Sequence, residues 1–240
     1  MLQKTNGIAL KVTNYSENSV VAQIYTEKLG LQSYLINGAR KPKAKIHISL
    51  LQPLHLLDMV VYVKDNGSLQ RIKEAQPNPL LQNIPFDIGK SAVSMFLNEI
   101  LYKVLKQQSS DPHLFQFIQQ SIIWLDTTEL PIFNFHLCFL MKLSRFLGYT
   151  PSINQDRKPF FDLVEGTFTD LPPTHTYTLQ EPHTSLFHAI LTSKYEDSHT
   201  IKIKQEDRKY LLQQCINFFK LHTENFGEIN SLIIMEEVFH

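Results

Sequence analysis

The hydrophobic and polar positions of this chain follow two regimes. From Lys4 to Ala75 apolar residues come in short runs with strand-like spacing, and beyond Pro79 they recur every three or four residues. Ile8 to Val12 reads as a strand, Asn14 to Asn18 as a polar turn, and Val20 to Thr26 as the return strand of a hairpin. Leu29-Gly30 marks a second turn, and Leu31 to Ile36 predicts a third strand. The stretch from Leu50 to Val63 is too long for one straight strand, and Pro53 predicts a bend or an edge within it. Asn66-Gly67 is a hairpin signal, after which Ser68 to Ala75 forms a fifth strand. Five short strands in sequence predict a small closed barrel, with the OB-fold first among candidates and an SH3-like barrel as the alternative.

Gln76-Pro77-Asn78-Pro79 breaks the pattern and predicts a domain junction. The resulting fold class is α+β: a five-stranded OB-fold barrel over residues 1–77, then an all-helical C-terminal domain over 78–240. Helices are predicted over Phe86 to Gln107, from Pro112 to Leu125 behind an Asp111 cap, and from Leu130 to Leu147, where Gly148 and Pro151 stop the chain. Further helices are expected at Thr184 to Ser193, Gln205 to Thr223 and Leu232 to Phe239. Residues 149–180 hold Pro151, Pro159, Gly166, Pro172 and Pro173, and are predicted to be irregular apart from a strand-like Phe160 to Leu163.

Charge sharpens this division. The 240 residues carry 23 cations and 23 acids, yet residues 1–80 hold ten cations against five acids, so the first part is net basic and the remainder equally acidic. Such asymmetry predicts a module for polyanions joined to one with another task. The cations concentrate in Asn37-Gly38-Ala39-Arg40-Lys41-Pro42-Lys43-Ala44-Lys45, with no acid between Glu27 and Asp58 to answer them. A basic tongue between two strands is a device for gripping phosphate, and the alternative is a solvated loop. Lys4 and Lys11 add to this set of candidate DNA-binding residues, with Lys64, Arg71 and Lys73 nearby, and Tyr15, Tyr25, Tyr34 and Tyr62 are available for base stacking.

Catalytic patterns are missing. The chain has no GxSxG, P-loop, GxGxxG or HExxH. The ten histidines do not fall into metal-ligand spacing: His136 and Cys138 are two apart in a predicted helix and point in different directions, and His183 and His188 are five apart. Cys138 and Cys215, the only cysteines, lie in apolar helical contexts and read as reduced core thiols. The first residues lack a signal-peptide hydrophobic region, and no apolar run approaches a bilayer span, so no membrane partner and a cytoplasmic location are expected. In the aromatic segment Phe133 to Phe146, Lys142 and Arg145 stand three apart on one helix face, suited to an acidic peptide end or to solvent.

These residues resemble a known family. Lys4 to Leu10, Tyr15-Ser16-Glu17 and Tyr25 to Gly30 resemble the start of the bacterial recombination mediator RecO. Gly38 to Lys43 and Leu51-Gln52-Pro53-Leu54 continue in that family's order and spacing. Phe146-Leu147-Gly148-Tyr149-Thr150-Pro151 is similar to its mid-chain signature, and the ending from Asn230 to Phe239 to some members. The resemblance implies an OB-fold followed by a helical domain, binding of single- and double-stranded DNA, and annealing of complementary strands. It also implies partnership with RecR and with the acidic tail of single-strand-binding protein, in loading the recombinase for repair. The family's basic loop falls on Arg40, Lys41, Lys43 and Lys45.

One departure stands out. Many members carry a four-cysteine zinc module after the Leu-Gly-Tyr signature, whereas Asn154 to Pro159 fill that place here without a cysteine. No metal or other cofactor is therefore expected, only a stripped-down ribbon or loop through Phe168. The arginine expected to hold the single-strand-binding tail has no counterpart near Leu137, which leaves Lys142 or Arg145 to substitute. The reading is a non-enzymatic, nucleoid-associated DNA-binding mediator. An OB-type RNA-binding adaptor and a protein scaffold with a basic loop are the alternatives.

Overall fold

The computed structural model describes residues 1–63, 69–153 and 158–239. Five strands, β1 (Leu2–Asn14), β2 (Val20–Thr26), β3 (Gly30–Ile36), β4 (Leu56–Tyr62) and β5 (Gln70–Pro77), close into a barrel in the order β1-β2-β3-β5-β4. All pairs are antiparallel except β3 with β5. This is the OB-fold architecture. β1 pairs with β4 through its first half and with β2 through its second, so it runs well beyond the apolar core Ile8 to Val12. The Asn66-Gly67 turn lies outside the described residues.

Alternation along the strands fills the interior: Val20, Ala22 and Ile24 of β2, Tyr34 and Ile36 of β3, and Leu57, Met59 and Val61 of β4 face one another. Gly7 of β1 looks into the same space. A Cβ there would stand 2.4 Å from Met59 Cε and 2.7 Å from Ile24 Cγ2, so only hydrogen fits. The long Leu50 to Val63 stretch is broken as Pro53 predicts: a 3-10 turn over Ile48–Leu51, then Leu54 at φ 61°, before β4 begins. Leu54 is fully buried, and its N–H donates to Ala9 O at 2.8 Å while Ala9 N–H donates to His55 O at 3.0 Å. These bonds accompany a β-bulge in β1 between Ala9 and Lys11.

The chain divides into two compact units, Met1–Thr128 and Glu129–His240. The barrel strands end at Pro77, but two helices accompany them in the first unit: α1 (Ile88–Val104) and α2 (Pro112–Thr127). Asn98 of α1 donates to Leu10 O at 3.0 Å, and Phe115 of α2 packs 5.9 Å from the Tyr25 ring. Asp87 and Asp111 cap the two helices, the second with Pro112 in its first turn. Near the end of α2 the buried Asp126 carboxylate accepts from the backbone N–H groups of Gln82, Asn83 and Ile84 at 2.8–2.9 Å, which fixes the segment leading into α1.

The second unit contains α3 (Phe135–Phe146), α4 (His183–Thr192), α5 (Gln205–His222) and α6 (Leu232–Val238). The helical region is not without strands: β6 (Phe160–Asp162), β7 (Thr167–Thr169) and β8 (Thr178–Gln180) form a sheet in the order β7-β6-β8. The stretch expected to be irregular thus holds three strands of three residues each, too short for a period-2 pattern to register. Their buried residues Phe161, Phe168 and Leu179 sit opposite one another, with the Phe161 ring 4.8 Å from Phe168 and 4.7 Å from Phe187 of α4. Residues 154–157 of the family's zinc position lie outside the described residues.

The helix expected from Leu130 begins only at Phe135. Asn134 does not cap it with its side chain; its amide donates instead to Ser198 O and Ile201 O, each at 2.9 Å. Gly148 ends the helix at φ 89°, as its position predicts.

Candidate nucleic-acid interface

The tongue is a loop with buried ends and an exposed middle. Ala39 and Ile46 belong to the barrel core, and between them Arg40, Lys41, Lys43 and Lys45 are all exposed. Gly38 at φ 69° turns the chain out of β3, and hydrogen bonds from Lys41 N to Gly38 O and from Ala44 N to Lys41 O, both 3.0 Å, shape the loop. Ile48 N closes its base on Ala39 O at 2.9 Å. The short chain between two buried anchors holds the cations outward.

The four cations divide by neighbourhood. Arg40 leans on the β1–β2 turn: its guanidinium donates to Asn14 Oδ1 and its backbone N–H to Asn18 O. Among the described residues Lys41 and Lys43 make no ion pair. Lys45 reaches β5, where its Nζ stands 3.9 Å from Glu74 Oε1. Lys4 of β1 lies on the same face, 3.2 Å from Asp58 of β4, and Lys4, Lys45, Asp58 and Glu74 line one open cleft. The structure therefore brings Lys4 together with the tongue.

Lys11 stands apart, with its Nζ 4.9 Å from the ring centroid of Tyr102 on α1. Lys64 lies outside the described residues. Of the four tyrosines, Tyr15 and Tyr62 are exposed, and Tyr62 sits opposite Arg71 in the β4–β5 register. Tyr25 and Tyr34 are fully buried and cannot stack on a base, because Tyr34 fills the barrel and Tyr25 packs under α2. Burial pushes both phenols above their ordinary range, Tyr25 up to about 12. Strand alternation alone did not distinguish them, since both faces of this barrel are covered where α1 and α2 pack.

In the second unit Lys142 and Arg145 come together at the C-terminal end of α4. Lys142 Nζ donates to Ser193 O at 2.8 Å and stands 5.4 Å from the Tyr195 ring, and Arg145 donates to Leu191 O at 3.1 Å. The two cations thus satisfy carbonyls that a helix end leaves open. Burial draws the Lys142 amine below its usual value.

A cation that sequence reasoning passed over is Arg208 of α5. It donates to Asn134 Oδ1 and Ile203 O, both at 3.1 Å, and its guanidinium lies 5.6 Å from the Phe133 ring. Arg208 and Lys209 line a small pocket with His136, Leu212, Met235 and Phe239. Burial, and then the Arg208 charge, hold His136 down at about 3, so its imidazole is neutral. The signal for Arg208 was its place four residues before Leu212 on an amphipathic helix, where a cation borders the apolar stripe. Cys138 and Cys215 are buried, and burial raises both thiols, Cys138 to about 12.

A closed OB barrel with an outward basic loop, followed by a helical region, defines a class of oligonucleotide-binding-fold proteins. Similarity to known proteins narrows it. The family profile for the Recombination protein O N terminal matches residues 1–78, and that for the Recombination protein O C terminal matches residues 85–230. The chain is 36% identical to the DNA repair protein RecO of Bacteroides fragilis over 241 residues, covering all of both chains. It is 34% identical to that of Phocaeicola vulgatus over the full length of both, and 32% identical to that of Flavobacterium psychrophilum over 98% of each. The chain belongs to the RecO family of DNA repair proteins. Among the described residues no helix is long and apolar enough to cross a membrane.

Proposed function

We propose that this chain is a non-enzymatic recombination mediator that binds single- and double-stranded DNA, anneals complementary strands, and helps load the recombinase on DNA coated with single-strand-binding protein. The observation that carries the reading is the tongue: four cations exposed between the buried anchors Ala39 and Ile46, with Lys4 on the same barrel face. Arg40, Lys41, Lys43 and Lys45 neutralise phosphates of one strand, and the exposed Tyr15 and Tyr62 offer ring faces to its bases. Such contacts go to backbone and π faces, so they serve any sequence, as repair requires.

The partners are RecR and the acidic tail of single-strand-binding protein. For the tail, the pocket of Arg208, Lys209, Leu212 and Met235 combines two cations with an apolar floor. Lys142 and Arg145, with donors committed to α4, add positive potential more than direct contacts. No structural zinc enters this reading, because the Phe161, Phe168 and Leu179 cluster gives the small sheet its own apolar core. The protein works in the cytoplasm on the nucleoid. Single-strand binding across a salt series, with the four tongue cations replaced by alanine, tests the reading.

A further inference from the structure

We propose a second nucleic-acid surface on the first unit, built from Lys11 and Lys106 around the Tyr102 ring, that takes the phosphates of a second single strand while the tongue holds the first. The proposal rests on the reading of the barrel as a DNA binder. Lys11 Nζ stands 4.9 Å and Lys106 Nζ 4.3 Å from the centroid of the same ring. Each ammonium is drawn to a face of the ring, so one aromatic side chain borders both cations. Among the described residues neither lysine makes an ion pair, and both are exposed. Two exposed cations on one aromatic side chain offer contacts to the phosphates of one strand.

The placement of Lys11 is built into the barrel. The bulge between Ala9 and Lys11, accompanied by the bonds of Ala9 to Leu54 and His55, interrupts the alternation of β1. Lys11 then projects from the barrel toward α1, whose Asn98 is tied to Leu10 O. Lys103 sits next to Tyr102 in sequence, and Lys106 lies in the 3-10 turn that follows α1. The acid on this part of α1 is Glu99, one turn before Tyr102. Asn14 and Lys4, at the two ends of β1, serve the tongue face instead, so a single strand of the barrel borders both basic surfaces. Two such surfaces on one body let a single protein hold both strands of a pair.

The test uses the full chain and two oligo-dT strands, which cannot pair with each other. One strand is immobilised and saturated with protein, and capture of a second, fluorescent strand is measured across salt. Wild type is compared with the double variant K11A/K106A, with the control K194A/K202A, which removes two exposed charges elsewhere, and with the tongue variant R40A/K41A/K43A/K45A. The expected result is that K11A/K106A keeps first-strand binding but loses second-strand capture about tenfold, with a log–log salt slope lower by about 1.4 for two lost single-strand phosphate contacts. The control captures like wild type. Equal second-strand capture by K11A/K106A and wild type overturns the proposal, as does a wild type that holds the first strand and never the second. A wild type that binds neither strand overturns the tongue reading as well. Circular dichroism of each variant separates loss of fold from loss of binding.

Discussion

Lys45 Nζ stands 3.9 Å from Glu74 Oε1, and Lys73 Nζ approaches the same oxygen at 3.6 Å. Adjacent residues of a regular strand point to opposite faces, yet Lys73 and Glu74 meet because the β4–β5 ladder slips there between Val60 and Val61. One exposed carboxylate thus damps two cations on the proposed DNA face. Glu74→Gln is expected to tighten single-strand binding about threefold at low salt and to leave stability nearly unchanged, since exposed pairs contribute little. Anisotropy titrations at 50 and 200 mM salt check this; equal affinity at both would show that Lys45 does not face DNA.

Gly7 sits where the barrel closes most tightly. Gly7→Ala forces Met59 Cε and Ile24 Cγ2 to move, and overpacking of this kind costs about 1–3 kcal/mol. Trimming the flexible neighbour, in Gly7→Ala/Met59→Val, is expected to recover part of that loss. Urea denaturation of the three proteins measures it, and a Gly7→Ala protein as stable as wild type would contradict the packing described.

The Asp126 carboxylate accepts from three backbone amides of the loop before α1. Asp126→Ala leaves the Ile84 donor unpaired in a buried position and those of Gln82 and Asn83 in part-buried ones, and is expected to lower stability by about 2 kcal/mol. Hydrogen exchange resolves the effect, with the amides of Gln82, Asn83 and Ile84 losing protection first.

His136 gives the second unit a pH dependence. Its folded value of about 3 lies below the ordinary 6.5, so between these limits the unfolded chain binds a proton that the folded chain does not. Stability from this group is full above about pH 6.5 and falls as the pH drops toward 3. Between pH 8 and pH 5 the loss is about 2 kcal/mol. In His136→Gln the difference between denaturation at the two pH values shrinks by that amount, whatever the variant's stability at pH 8.

Much of the barrel was legible because β1 to β4 carry enough β-branched and aliphatic residues to show their period, and β2 falls on Val20 to Thr26 as the pattern predicts. β5, with only Ile72 and Ala75 apolar before Pro77, was marked instead by the Asn66-Gly67 turn ahead of it. The three-residue strands β6, β7 and β8 were not legible, because each buries only one or two side chains and depends on partners distant in sequence. Helix ends were read correctly where a local cap decides them, as at Asp111 and Gly148, and incorrectly at Leu130, where Asn134 bonds to residues more than sixty positions away. At the proposed site the exposed tongue was visible as uncompensated charge. The grouping of Lys4 with Lys45, and the separation of Lys11, come from strand register and a bulge, which leave no trace in composition.

The measurement that tests the central claim most directly is binding of single-stranded DNA by fluorescence anisotropy across a salt series, comparing wild type with R40A/K41A/K43A/K45A. If the tongue grips phosphate, the variant remains folded, its affinity falls by an order of magnitude or more at low salt, and its log–log slope flattens by about 3. Equal affinity and equal slope in the two proteins would contradict the account and leave the tongue a solvated loop.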